Sequence, residues 1–135
     1  MGMFDAFAIS GSGMTAERLR MDVIASNLAN ADSTRGADGQ PYRRRMVVLQ
    51  AGSPSFDQVL SGVKVAGVVE DQSPLRRVYD PSHPDADAQG YVTLPNVNPV
   101  TEMVDLITSS RGYEANVTAM NAAKQMFTKT FDVLR

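Results

Sequence analysis

Four stretches of this chain carry residue types that could do chemistry, and each is judged by what surrounds it. Gly11-Ser12-Gly13-Met14-Thr15-Ala16 fits the spacing of a glycine-rich phosphate turn, with Asp32 placed about twenty residues on to meet a ribose. Such a turn must follow an apolar strand, and its acidic residue must close a second one. Only ten residues precede Gly11 and the run from Ala29 to Gly39 is polar, so the stretch reads as a flexible lead-in to a helix. Asp85-Ala86-Asp87-Ala88-Gln89-Gly90 resembles the opening of a calcium loop, with Val92 in the apolar eighth place. Its closing bidentate Glu would fall at Asn96, and prolines rather than helices flank it, so it reads as a turn with solvated carboxylates.

The lone histidine, His83, has no second nitrogen ligand nearby in sequence, and no G-x-S-x-G elbow accompanies it. Arg43-Arg44-Arg45 is the densest basic cluster. On a strand, alternate side chains share a face, so only Arg43 and Arg45 point together. With Tyr42 adjacent they suit phosphate contacts, but the acidic total favours a solvated edge strand. Nothing pairs carboxylates or activates a nucleophile. The expectation is no catalytic residue, no metal, no cofactor and no enzyme.

Composition narrows the classes further. At 135 residues the chain is one ordinary domain, or one domain with a long helical appendage. A hydrophobic content of 43% argues against wholesale disorder. The net charge of −2 makes no case for nucleic acid or an anionic membrane as partner. With no Cys there is neither a disulfide framework nor a thiolate site. No apolar run reaches the roughly 18 residues a spanning helix needs. The N-terminus lacks a basic segment leading into an apolar core, so no cleavable secretory signal is expected.

The element around which the rest is organised runs from Asn98 to Arg135. Steps of three and four pick out Met103, Leu106, Ser110, Tyr113, Val117, Met120, Lys124, Phe127, Phe131 and Leu134, and eight of these ten are apolar. That spacing predicts a long helix, about 50 Å, burying one narrow stripe against other helices. Asn98 is a good N-cap and Pro99 suits the first helical position. Glu102 and Asp105 fall on the opposite, wet face, near the positive end of the helix dipole.

The first thirty residues predict a second amphipathic helix with Met14, Met21, Ile24 and Leu28 on its apolar face, frayed or kinked at Gly11-Ser12-Gly13 and firm from Thr15. Between the helices the period changes to that of strands, at Tyr42–Gln50, Val63–Val69, Leu75–Tyr79 and Tyr91–Leu94. The expected fold is mainly α with a small β module. The terminal helices form a coiled-coil-like antiparallel pair, and a loop-rich β insertion projects from its far end. The divisions fall at 1–32, 33–97 and 98–135. A stripe too costly to leave exposed, on a chain with little other core, is best explained by burial between subunits. The assembly surface is therefore expected at Met14, Met21, Ile24, Leu28, Met103, Leu106, Tyr113, Val117, Met120, Phe127, Phe131 and Leu134.

Particular motifs carry a resemblance. Ser10-Gly11-Ser12-Gly13-Met14-Thr15-Ala16 leads to Asp22-Val23-Ile24-Ala25-Ser26-Asn27-Leu28-Ala29-Asn30-Ala31. Ser33-Thr34-Arg35, Pro41-Tyr42-Arg43-Arg44 and Val78-Tyr79-Asp80-Pro81-Ser82-His83-Pro84-Asp85-Ala86-Asp87 follow, then Asn96-Val97-Asn98-Pro99-Val100-Thr101-Glu102 and Arg111-Gly112-Tyr113-Glu114-Ala115-Asn116. Together these resemble the flagellar axial proteins, in their proximal-rod branch, the FlgC family. One departure is Gly112, where the resemblance leads to Ala and the helix is loosened.

The resemblance implies a non-enzymatic structural subunit of the bacterial basal body. It would pass unfolded through the flagellar type III export apparatus without signal cleavage and polymerise into the periplasmic rod that transmits torque. Its partners would be further copies of itself, other rod proteins and the junction of rod base and membrane ring, with no nucleic acid and no small-molecule substrate. Two other readings stand beside it: a helical adaptor or export-associated protein that binds one partner without polymerising, and a small calcium- or phosphate-handling module using the acidic loop.

Overall fold

The computed structural model describes residues 3–36, 38–51 and 62–133. Its elements are α1 (Met3–Ala29), β1 (Arg45–Ala51), β2 (Val63–Glu70), β3 (Arg76–Tyr79), β4 (Tyr91–Leu94) and α2 (Pro99–Val133). The start of α2 follows its sequence signal. Asn98 Oδ1 accepts the N–H groups of Val100 at 3.1 Å and Thr101 at 3.4 Å, and Pro99 occupies the first position, where no donor is needed.

Helix α1 runs unbroken through Gly11-Ser12-Gly13, where a kink was expected. Tertiary packing overrides the local weakness. A Cβ at Gly13 would lie 2.9 Å from the Asn116 amide, so glycine is what lets α2 come this close. The Ser12 hydroxyl turns back onto the Ile9 carbonyl at 2.7 Å and accepts the Val63 N–H at 3.0 Å, tying the helix to the start of β2.

The two helices lie antiparallel: Gly11 faces Met120, Gly13 faces Asn116, Glu17 faces Gly112, and Asn27 bonds to Glu102. On α2 the line turned inward is Glu102, Ser109, Asn116 and Ala123, at strict seven-residue intervals. On α1 it includes Ala16, Ile24 and Asn27. The seam inside one chain is thus small and polar, and it begins one residue before the apolar stripe. Glu102, expected on the wet face, is 1% exposed, while its neighbour Met103 is 56% exposed. Gly112 also faces α1, where a Cβ would make an ordinary contact with the Glu17 side chain at 3.4 Å.

The central strands form two separate antiparallel pairs, β1–β2 and β3–β4. The β1–β2 ribbon, bulged between Val48 and Leu49, does not project from the end of the helix pair as expected. It lies back along α1. One end is held where Asn27 meets Arg45, the other where Ser12 meets Val63. Seven strand residues span about 23 Å, and the helix from Ser12 to Asn27 rises about 22 Å, so the two lengths match.

The buried apolar residues among those described are Ala16, Ile24, Ala31, Val92, Val97 and Ala123, and three of these six are alanines. The chain exposes 9576 Å², against roughly 6,900 Å² for a compact monomer of this mass. α2 also outruns α1. At the Asn27–Glu102 end the two helices finish nearly flush, so the eight-residue difference in length falls at the other end, an overhang of about 12 Å.

Two outcomes follow from this packing. Amides of residues 109–120 should exchange more slowly than those of 126–133 in a monomeric sample, and equal protection along α2 would contradict the overhang. Gly13→Val should lower stability by about 1–3 kcal/mol in urea unfolding, through the clash with Asn116.

Candidate functional site

At the flush end of the helix pair a polar cluster joins five segments of the chain. Asn27, 1% exposed, uses its whole hydrogen-bonding capacity. Its Nδ2 donates to the Arg45 carbonyl at 2.8 Å and to Glu102 Oε2 at 2.9 Å. Its Oδ1 accepts the Arg45 N–H at 3.0 Å and the Tyr42 hydroxyl at 2.9 Å. The second Glu102 oxygen accepts from Arg44 Nε. Arg44 also reaches Asp105 at 3.4 Å and Asp71 at 3.9 Å. Its N–H donates to Asn96 Oδ1 at 2.8 Å, while Asn96 Nδ2 donates to the Asp71 carbonyl at 3.1 Å and to Ser73 Oγ at 2.9 Å.

The arginine run is therefore not a solvated edge strand. Arg44 is turned inward to Glu102, and Arg43 lies 3.4 Å from the carbonyls of Asp71 and Ser73. Arg45 alone keeps the expected character, half-exposed and 3.8 Å from Glu70. These commitments also explain why β1 begins at Arg45 rather than Tyr42: the preceding polar groups are bound elsewhere. A count of apolar positions misses Glu102. The available signal is the seven-residue series Glu102, Ser109, Asn116, Ala123, a line of small and polar residues facing Gly13 and Ala16.

The acidic loop is tied down as well. Asp85 accepts from Thr34 Oγ1 at 2.8 Å and pairs with Arg35, which brings the Ser33-Thr34-Arg35 and His83-Pro84-Asp85 motifs together. His83 Nδ1 accepts the Asp85 N–H at 3.0 Å. Asp87 accepts the N–H groups of Tyr91 and Gln89, both at 2.9 Å, and pairs with Arg77 at 2.8 Å. These are not the free, solvated carboxylates the sequence suggested, and two guanidinium groups occupy the ground a calcium ion would need. Among the described residues no group of three or more His, Cys, Asp or Glu could hold a metal. The glycine-rich stretch has no room for a phosphate, because Met120 and Asn116 lie over Gly11 and Gly13.

Hydrogen bonds hold three carboxyls below their ordinary value of 3.8: Asp87 chiefly through the Tyr91 N–H, Asp80 through the Ser82 hydroxyl, and Asp71 through the Ser73 N–H. The apolar positions expected to mediate assembly divide into three groups. Ile24 is buried within the chain. Met14, Met21, Leu28, Leu106, Tyr113, Val117 and Met120 are half-buried along the flanks of the seam. Met103, Phe127 and Phe131 are exposed, with the Phe127 and Phe131 rings edge to face at 4.5 Å. Leu134 lies outside the described residues.

A slender helix pair with a braced end, no catalytic grouping among its described residues and an apolar stripe left partly open has the form of a structural assembly subunit. Residues 7–37 match the family described as flagella basal body rod protein, and residues 88–133 match the flagellar basal body rod FlgEFG protein C-terminal family. The chain is 49% identical to the flagellar basal-body rod protein FlgC of Bacillus subtilis (strain 168), over 98% of this chain and 99% of the relative. Identity is 49% to its counterpart in Salmonella typhimurium (strain LT2), over 96% of each chain, and 42% to that of Borreliella burgdorferi, over 100% and 99%. The chain belongs to the FlgC family of flagellar basal-body rod proteins, which are structural proteins and not enzymes.

Removing one partner of the buried pair should be costly. Glu102→Ala is expected to lose about 1–3 kcal/mol in urea unfolding, because the Asn27 amide loses a buried acceptor while Arg44 keeps only its longer pairs to Asp105 and Asp71. Arg35→Ala, at a more exposed pair, should lose less than about 1 kcal/mol. For the depressed carboxyls, the folded pKa lies below the unfolded one. Their stabilisation is complete above about pH 5 and is lost as pH falls through the folded values. The thermal midpoint should be flat between about pH 5 and 7 and drop below about pH 4, and Asp87→Asn should flatten that drop.

Proposed function

We propose that this chain is a subunit of the proximal rod, polymerising through its terminal helices into the periplasmic shaft that transmits torque to the hook. The observation that carries the reading is the division of α2 into two faces. The chain closes on itself along Glu102, Ser109, Asn116 and Ala123, while Met103 and Phe131 stand 56% and 57% exposed on the apolar stripe. A large uncovered apolar surface on a thin core calls for cover from neighbours. In this reading the helical segments 1–32 and 98–135 pack in coiled-coil fashion within and between subunits, and 33–97 faces outward.

The partners are other copies of the chain, other rod proteins and the junction of rod base and membrane ring. The chain reaches them through the flagellar type III export apparatus, without a cleaved signal peptide. The absence of Cys and the alanine-rich core support transit in an unfolded state, since little packing and no cross-link must be undone.

The test places a charge on the open stripe without disturbing the chain's own seam. Met103→Asp and Phe131→Asp should leave monomer stability within about 0.5 kcal/mol, these being exposed positions. In cells they should abolish rod assembly and swimming while export continues, because each copy in the polymer would bury an unpaired carboxylate. Asn121→Asp, on the polar side, should swim normally. Normal swimming of the Met103 and Phe131 variants, with tight one-to-one binding and no assembly of the parent chain, would favour a non-polymerising adaptor.

A further inference from the structure

The loop between β3 and β4 carries the one histidine of the chain, His83, and it is half-buried. Its Nδ1 lies 3.0 Å from the Asp85 backbone nitrogen. A backbone N–H can only donate, so Nδ1 carries no proton in this arrangement and the ring proton sits on Nε2. The backbone of His83 closes two further turns, its N–H donating to the Asp80 carbonyl at 3.3 Å and its carbonyl accepting the Ala86 N–H at 3.0 Å. The ring thus fixes Asp85 within the loop. Asp85 in turn holds Thr34 and Arg35, on the segment that leaves α1.

We propose that His83 is a proton-operated catch: protonation of Nδ1 releases the Asp85 N–H and loosens the clasp between residues 83–87 and 33–36. The proton comes from solvent. Once bound, it turns Nδ1 into a donor facing a donor, so the hydrogen bond is lost and not merely weakened. Imidazoles titrate between about pH 5 and 8, a range in which carboxylates and guanidinium groups keep their charge.

A partner for the charged ring is already in place. Asp80 stands three residues back, its carboxyl held below the usual carboxylate range chiefly by the Ser82 hydroxyl, with a smaller contribution from His83. The other charged groups about the loop are Asp85, paired to Arg35 of the segment after α1, and Asp87, paired to Arg77 of β3. Three carboxylates against two guanidinium groups leave these surroundings favourable to one more positive charge. The change is local. The Arg44–Glu102 pair and its bond from Asn27 involve no histidine, so the braced end of the helix pair stays closed while the clasp opens.

The test follows the full chain by NMR between pH 8 and 5. At pH 8 the ring nitrogens should show the proton on Nε2. As the ring takes up its second proton, the Asp85 amide should lose roughly threefold to tenfold of its exchange protection, the worth of one hydrogen bond. Thr34 and Arg35 signals should shift with the same midpoint as the ring. His83→Asn is the control, because an Asn side-chain oxygen accepts the same N–H two residues on and does not titrate. It should keep Asp85 protected at both ends of the range. A proton on Nδ1 at pH 8, protection at Asp85 that stays constant while the ring titrates, or an equal loss in His83→Asn would each overturn the catch. None of these readouts involves assembly, so the outcome is independent of the rod reading.

Discussion

The Arg44–Glu102 pair, with Asn27 bonded to its carboxylate, is the constraint on which the rest of the structure depends. A carboxylate 1% exposed is tolerable only with its oxygens satisfied, and here each oxygen has a donor from a different part of the chain. Asn27 fixes where α1 meets α2, Arg44 fixes where the chain enters β1, and Asn96 fixes the approach to α2. Satisfying that one group therefore sets the relative placement of both helices and the ribbon. Apolar packing could not do this alone, because half of the buried apolar residues among those described are alanines, too small to define a register.

The same arrangement explains how one short chain can have a defined fold and still leave many large apolar side chains exposed. The internal seam uses glycine, alanine, serine, asparagine and a paired glutamate, with Ile24 as its one large fully buried apolar side chain among those described. Methionines, valines and phenylalanines remain on the flanks and at the overhang, where they stay partly or largely exposed. Had the stripe itself closed the helix pair, α2 would have had few large apolar side chains left at its surface.

Much of this was legible in the sequence. Both helices, the N-cap at Asn98 and all four strands followed from period and capping residues, because those signals are local. The misreadings share one cause. Gly11-Ser12-Gly13 was expected to break a helix, Glu102 to face water and Arg44 to sit on an open edge. In each case a partner more than fifty residues away decides the outcome: Asn116 for Gly13, and Asn27 and Arg44 for Glu102. The placing of the ribbon along α1 was out of reach for the same reason, since it rests on Ser12 meeting Val63. Glu102 leaves a faint trace in its seven-residue series with Ser109, Asn116 and Ala123, but the pairings at Ser12 and Arg44 leave no periodic trace in a single sequence.

The ribbon pinned to α1 at Ser12 and Asn27 has a mechanical meaning. A helix held at two points by a second member of equal length is a triangulated beam. To bow that stretch of α1 outward, the hydrogen bonds at one of the two pins must first part, and an extended strand has almost no slack to give. Bending is therefore confined to the unbraced residues before Ser12 and to the α2 overhang. The molecule is a stiff strut with compliant tips, whose ends can shift while the braced middle keeps its length.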